Sequence, residues 1–358
     1  MNIDKIINNN PNIKTIGIVG GGQLGRMMCF SAHKMGFKTV IFSDQDQCVA
    51  SFVTNNIIIA NYDDQDALDK FAEIVDIVTF EFENIPFATI NYLSNKVNTY
   101  PNAQILKITQ NRILEKEFLN KIAIKTANYS KILSKNDIAK NLAIFGKAII
   151  KTATMGYDGK GQYVISDNSQ IDHIWQIHAD NQLIIEEFCP FDFEVSIIIA
   201  RSFQGEVACY EPVQNIHQNS ILYKTTYPSS LNDQMSKKAQ EIAIKIANEL
   251  DLVGILAVEF FIVGDQIYVN ELAPRPHNSG HITMDLCYNS QFDQLIKAIC
   301  GFKLGDVGFF ASGYMQNIIG NDINKIQDYQ NNPKAKIHLY DKKDIIEGRK
   351  MGHVNIIN

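Results

Sequence analysis

The stretch Leu256-Ala257-Val258-Glu259-Phe260-Phe261-Ile262-Val263-Gly264-Asp265-Gln266-Ile267-Tyr268-Val269-Asn270-Glu271 reads as two apolar strands joined near Gly264-Asp265. Glycine and aspartate are residues that tight hairpin turns favour. A two-residue turn sets Glu259 opposite Asn270, and a three-residue turn, Gly264–Gln266, sets it opposite Glu271. In both registers two carboxylates and an amide converge. Glu259 lies inside an apolar run, where a charged side chain needs a partner. Two like charges this close call for a cation. Oxygen ligands select a hard one, so Mg²⁺ is favoured, its shell completed by substrate phosphates.

Just before the hairpin, Ala239, Ile242, Ala243, Ile246 and Leu250 recur at helical spacing. Further back, Phe193–Ala200 pairs naturally with Glu206–Tyr210 across Gln204-Gly205. An antiparallel α+β body is expected here. Beyond the hairpin runs Pro274-Arg275-Pro276-His277-Asn278-Ser279-Gly280-His281. Its prolines restrict the backbone while Arg275 and His277 project from it. Arginine suits bidentate binding of a planar oxyanion.

A second stretch, Lys151 to Gln162, carries Gly156, Gly159 and Gly161 between the apolar runs Ala148-Ile149-Ile150 and Tyr163-Val164-Ile165. Such a loop can turn several backbone N–H groups onto one anion, with Lys151 and Lys160 beside them. It suits a hairpin that folds over a polyphosphate.

The chain opens differently. Ile16–Val19, the turn Gly20-Gly21-Gly22-Gln23-Leu24-Gly25, a helix carrying Leu24, Met27, Met28 and Met35, and the strand Thr39–Phe42 form a β-α-β pattern ending near Asp44. Ile77–Phe80 is a further strand, followed by Glu81-Phe82-Glu83, where open α/β sheets place their ligand contacts. One helical stretch is expected from Ala103 to Ile122, and a return to strand over Ala143–Lys151. A small third segment with short strands begins at Gly301–Gly305.

Composition narrows the function. The 358 residues carry a net charge of −6, which argues against broad binding to nucleic acid. No run approaches the ~18 apolar residues of a membrane span. Met1–Asn12 reads as a loosely held lead-in without a signal peptide's apolar region. Six cysteines lie far apart with no metal-finger spacing, as expected of reduced thiols in the cytoplasm.

The glycine loop, the paired strand acids and the Pro-Arg run together resemble the ATP-grasp ligases. More closely, the chain resembles the N5-carboxyaminoimidazole ribonucleotide synthetase family. The shared pieces are Gly20–Met27, Thr79–Asn84, Gly156–Gln162, Asn270–His281 and Gly348-Arg349-Lys350-Met351-Gly352-His353.

The resemblance implies an α/β Rossmann-like pre-ATP-grasp domain over 1–109, an α+β ATP-grasp domain over 110–298 with a flap subdomain near 123–190, and a small β-rich C-terminal domain over 299–358. It implies bicarbonate- and ATP-dependent carboxylation of aminoimidazole ribonucleotide in purine biosynthesis, with Mg²⁺ as two ions, in a cytoplasmic homodimer. Arg112 and Lys151 would contact ATP phosphates, with Gly156, Tyr157, Asp158, Gly159, Lys160, Gly161 and Gln162 as a flap. Glu186, Glu187, Phe188, Cys189, Glu194 and His217 would line the nucleotide, Glu186, Glu187 and Glu194 on the adenosine side. Glu259 and Glu271 would carry the metal with Asn270 beside them. Gln23, Leu24 and Glu83 would face the ribonucleotide, within reach of Asp158 and Lys160. Lys342, Arg349 and Lys350 would hold its 5′-phosphate. Arg275 and His277 would hold bicarbonate.

Two flap positions depart from the family's pattern. Ala153 stands where arginine or another polar residue is expected, and Met155 where a second glycine is expected. Rival readings are another ATP-grasp ligase, such as biotin carboxylase or formate-dependent glycinamide ribonucleotide transformylase, and an NAD-dependent oxidoreductase using Gly20–Gly25 and Asp44. The oxidoreductase reading leaves the hairpin acids and the Pro-Arg-Pro-His run unexplained.

Overall fold

The computed structural model describes residues 13–54, 56–156, 161–178 and 181–358. The expected lead-in at Met1–Asn12 lies outside them. A parallel sheet comes first, in the order β3-β2-β1-β4. Its strands are β1 Thr15–Val19, β2 Lys38–Ser43, β3 Ile57–Ile59 and β4 Ile77–Phe80, and α1 Gln23–Lys34 crosses from β1 to β2. Glycines and apolar residues let α1 begin directly at the strand end, and it buries Leu24, Met27, Met28 and Ala32. Helices α2 Gln65–Ile74 and α3 Phe87–Ser94 follow.

Where one helix was expected from Ala103 to Ile122, the chain forms two, α4 Ala103–Thr109 and α5 Arg112–Lys121. The break has a local cause. Asn111 Oδ1 accepts from the N–H groups of Ile113 at 3.0 Å and Leu114 at 3.2 Å, capping a new helix. Arg112 therefore starts a helix instead of sitting within one.

The expected strand over Ala143–Lys151 is also corrected. Helix α6, Lys135–Phe145, continues through the first part of it, with Ile138 and Leu142 buried at helical spacing. It stops at Gly146, whose φ of +70° suits glycine. Only Ala148–Thr152 is strand, β6. With β5 Tyr129–Ile132, β7 Gln162–Ile165 and β8 Leu183–Glu187 it forms an antiparallel sheet in the order β5-β8-β6-β7. Ile138 and Leu142 of α6, with Ile171 and Ile174 of α7 Ile171–His178, cover one face.

The largest sheet has nine strands: β9 Phe193–Arg201, β10 Val207–Cys209, β11 Val213–Gln218, β12 Ile221–Tyr227, β13 Gly254–Val263, β14 Gln266–Ala273, β15 Gly313–Ile319, β16 Ala335–Leu339 and β17 Lys350–Ile357. Their order is β14-β13-β9-β11-β12-β15-β17-β16, with β10 on β9. The C-terminal strands thus extend the central sheet through the β12–β15 pair. Helix α8, Asp233–Glu249, buries Ala239, Ala243 and Ile246 in the same apolar cluster as β9 and β13. Helix Gln291–Cys300 packs against α1, so Met27 and Met28 share a cluster with Phe292, Leu295 and Ile296.

The hairpin resolves the open register by a third route. Val263 pairs with Gln266, so the turn has two residues. A bulge at Glu259/Phe260 then leaves Asn270 as the extra residue and sets Glu259 opposite Glu271. The six cysteines are free, and no helix among the described residues is long and apolar enough to cross a membrane.

Candidate active site

The glycine turn at Gly20–Gly25 is already filled. Glu81, just past β4, accepts hydrogen bonds from Gly22 N–H and, at 2.7 Å, from Gly25 N–H. A Cβ on Gly20 would fall 2.4 Å from Glu81 Cγ. The donors that a dinucleotide's pyrophosphate would need are spent on the chain's own carboxylate, which removes the basis of the oxidoreductase reading. Burial pushes the Glu81 carboxyl upward, opposed by those two N–H groups, Lys342 and Arg275.

On the other side of the cleft a cluster of cations is gathered from three elements. Lys151 of β6 lies 2.9 Å from Glu186 of β8, and Lys116 of α5 lies 3.5 Å from the same carboxylate. Burial alone would raise Glu186, but Lys151, Lys116 and Arg112 outweigh it and bring it from 4.5 to about 2. Lys151 moves below its usual range, because burial, Arg112 and Lys116 together exceed the attraction of Glu186. Three cations around one carboxylate favour a further anion. Glu186 therefore sits among Lys151, Lys116 and Arg112, where the resemblance divides Glu186, at the adenosine, from Lys151 and Arg112, at the phosphates. Lys116 escaped the sequence reading, although its spacing of four from Arg112 puts both on one helix face.

Arg112 lies 3.2 Å from Glu271 Oε2. Burial works to raise Glu271, and Arg112 and Lys151 overcome it, so it stays ionised. Its cross-strand partner Glu259 is pushed up to about 8 by burial and by Glu271. Glu115 accepts from Leu272 N–H at 2.8 Å and is likewise pushed up to about 8, by burial and then by Glu271. The pair is short of positive charge, which is the condition a hard cation relieves. Among the described residues no group of three His, Cys, Asp or Glu side chains is arranged to hold a metal. Two carboxylates with phosphate and water completing the shell are what Mg²⁺ usually takes, so these residues fit it.

The Pro-Arg-Pro-His run closes the far end. Arg275 Nε lies 3.1 Å from Glu83 Oε1, and His277 Nε2 lies 3.3 Å from Glu259 Oε1. Burial, with Arg275 and Lys350, lowers His277 well below its ordinary value. Glu194 pairs with His217 and holds it above its ordinary value, against burial. Lys350 acts on His217 and His277, and Lys342 on Glu81, so the C-terminal cations bear on this cleft. Arg349 donates to Asp344 O at 3.2 Å.

The remaining residues fall at varied distances from this centre. Leu24 is buried in the α1 core, leaving its main chain for any ligand. Gln23 begins α1 beside the filled turn. Glu187 accepts from Asn128 at 2.7 Å, and Lys147 lies over the Phe188 ring at 3.6 Å. Cys189 is half-buried. Thr154, Met155 and Gly156 line one cleft with Glu83, Arg112 and Glu271, so the stem of the flap meets the acids. Gly161 has φ +72° and Gln162 opens β7. Tyr157, Asp158, Gly159 and Lys160 lie outside the described residues. Ala153 is wholly buried beside Ile113 and Ile184, where a long polar side chain has no room. Met155 has φ +62°, a conformation that favours the glycine expected there.

Residues 13–110 match the ribonucleotide synthetase preATP-grasp domain, 117–292 the ATP-grasp domain, and 313–358 the phosphoribosylaminoimidazole carboxylase C-terminal domain. The N5-carboxyaminoimidazole ribonucleotide synthase of Bacillus subtilis (strain 168) is 40% identical over 345 residues, covering 96% of this chain and 91% of the relative. The chain belongs to the N5-carboxyaminoimidazole ribonucleotide synthase family. Solved structures of the family agree. The Staphylococcus aureus synthetase complexed with ADP superimposes with a TM-score of 0.93 at 34% identity, covering 98% of this chain and 95% of that one. The Aspergillus clavatus synthase in complex with ADP and 5-aminoimidazole ribonucleotide gives 0.91 at 28% identity, covering 97% and 94%.

Proposed function

We propose that this chain is an ATP-grasp ligase that carboxylates 5-aminoimidazole ribonucleotide to N5-carboxyaminoimidazole ribonucleotide, using ATP and bicarbonate, in purine biosynthesis. The observation that carries the reading is the Glu259–Glu271 pair, met by Arg112 at one end and His277 at the other. Family membership over 96% of the chain supports the substrates. The reading includes a homodimer in the cytoplasm and the three-domain division at 1–109, 110–298 and 299–358.

The chemistry has two stages. A bicarbonate oxygen bonds to the γ-phosphorus of ATP as the bond to ADP breaks, which forms carboxyphosphate. The exocyclic amine of the ribonucleotide then bonds to the carboxyl carbon, phosphate leaves, and the amine loses a proton. Arg112, Lys116 and Lys151 gather the phosphate charge, with Glu186 holding both lysines in place. Glu259 and Glu271 would hold Mg²⁺, which supplies charge neutralisation at the phosphates when bound. Arg275 and His277 orient bicarbonate, and Arg275 is itself steadied by Glu83. Gln23, Lys342, Arg349 and Lys350 hold the ribonucleotide. Thr154, Met155 and Gly156 border this cleft, where excluding water protects the labile intermediate.

The test is ADP release with bicarbonate and aminoimidazole ribonucleotide omitted in turn. Full rate is expected only with both. Folded protein that neither compound stimulates contradicts the assignment.

A further inference from the structure

Behind His277 lies a line of buried polar side chains that no step above uses. Thr225 of β12 donates to Asn215 Oδ1 at 3.0 Å. Asn215 Nδ2 of β11 donates to Ser196 Oγ at 3.0 Å. Ser196 of β9 donates to Ser279 Oγ at 2.6 Å. Ser279 Oγ lies 2.9 Å from His277 Nδ1. Ser196, Thr225 and Ser279 have no exposed surface, and Asn215 is 5% exposed. Buried groups of this kind order one another, because each donor has few alternatives.

The line has a direction. Asn215 accepts through its oxygen and donates through its nitrogen, so the Ser196 proton points on to Ser279. Ser279 receives that proton and turns its own to His277 Nδ1. Another donor agrees without reference to the Asn215 amide. The main-chain N–H of Ser279 also donates to His277 Nδ1, at 3.4 Å, as His277 caps the 3₁₀ turn Asn278–Ile282. Two donors on one ring nitrogen make it an acceptor. In a neutral imidazole the other nitrogen then carries the proton.

We propose that Ser279, Ser196, Asn215 and Thr225 are positioning residues that hold His277 as the tautomer protonated on Nε2, with that N–H turned toward Glu259. Sheet register explains how the line reaches the acids. Ser196 is the cross-strand partner of Glu259 on β9, and Asn215 is the partner of Thr225 on β12. The consequence is a role for the ring. His277 donates a hydrogen bond to anionic oxygens at the bicarbonate end and is not the base that takes the amine proton. That consequence rests on the function proposed above, but the tautomer does not.

The test is a long-range proton–nitrogen correlation spectrum of the full chain labelled with nitrogen-15 in histidine, near neutral pH. The His277 signals are identified by their loss in His277→Gln. The wild-type protein is expected to show a protonated Nε2 and a bare Nδ1. Ser279→Ala is expected to move both nitrogen shifts toward a tautomer mixture and to lower kcat by about tenfold with KM for ATP unchanged. Ser196→Ala, which keeps the Ser279 hydroxyl, should move them the same way by less. A wild-type spectrum with the proton on Nδ1, or nitrogen shifts unmoved in both serine variants, overturns the proposal. The spectrum reads the tautomer even if the protein proves inactive toward aminoimidazole ribonucleotide, so a failure of the function and a failure of this inference are distinguishable.

Discussion

The turn at Gly20–Gly25 and the end of the β13–β14 hairpin both bring acids to a strand end, and they resolve the charge in opposite ways. At the turn, Glu81 is met by two main-chain N–H groups and sealed in. At the hairpin, Glu259 faces Glu271; Arg112 meets Glu271, but Glu259 has beside it only the imidazole of His277, which burial keeps uncharged. By its sequence the turn resembles a nucleotide site, yet in the fold it is an internal lock. By its sequence the hairpin already brings two acids together, and in the fold their charge is left unmet. A motif tells where donors are, and only the packing tells whether the protein has already used them. Unmet charge in a cleft is the better guide to chemistry.

The largest effect is expected at Glu271. Glu271→Ala should lower kcat by about a thousandfold, as loss of a main electrostatic group does, while the protein remains folded. Near-normal turnover in a steady-state assay would make the hairpin pair structural and erase the contrast.

Glu186 sharpens it from a third position, as an acid fully matched by cations. Its carboxyl lies near 2 in the fold against an ordinary 4.5. A lowered carboxyl contributes stability that is complete above about pH 4.5 and is lost as pH falls toward 2, worth on the order of 3 kcal/mol. Glu186→Gln should therefore flatten the fall in unfolding free energy across that window in acid denaturation. An unchanged slope would show that the three cations do not hold it.

Glu81→Gln tests the lock. It replaces a carboxyl that accepts from two N–H groups and should cost about 2 kcal/mol in a denaturant titration. Bound NAD in this variant or the wild type, seen as a raised melting temperature, would restore the oxidoreductase reading. The smallest effect is expected at Met155. Met155→Gly removes a left-handed strain of about 1 kcal/mol, partly offset by glycine's greater freedom when unfolded. A melting temperature that falls clearly would mean the Met155 side chain is held by contacts that outweigh its backbone.

Much of this was legible in sequence because the patterns were local. The strands, the α8 periodicity and the paired acids follow from alternation and spacing. The helix break at Asn111 was less visible, since its cap competes with a good apolar period over Ala103–Ile122. The strand expected at Ala143 failed because the alanine and isoleucine there suit a helix as well as a strand, and Gly146 decides the end. Turn length alone leaves the acid register open, and the bulge at Glu259/Phe260 settles it. Lys116 and Glu81 were hidden for a different reason. Their partners, Glu186 and the Gly22–Gly25 amides, are 70 and about 60 residues away, a separation no spacing rule covers. The line from Thr225 to His277 joins three strands and a turn, and it exists only once the sheet is assembled.

Bicarbonate activated by phosphoryl transfer, as proposed for this cleft, would leave its oxygen on the phosphate released. Bicarbonate carrying heavy oxygen is supplied with ATP and aminoimidazole ribonucleotide, and the inorganic phosphate released is examined by mass spectrometry. Each phosphate is expected to carry one oxygen from bicarbonate. Product formed alongside unlabelled phosphate would contradict it.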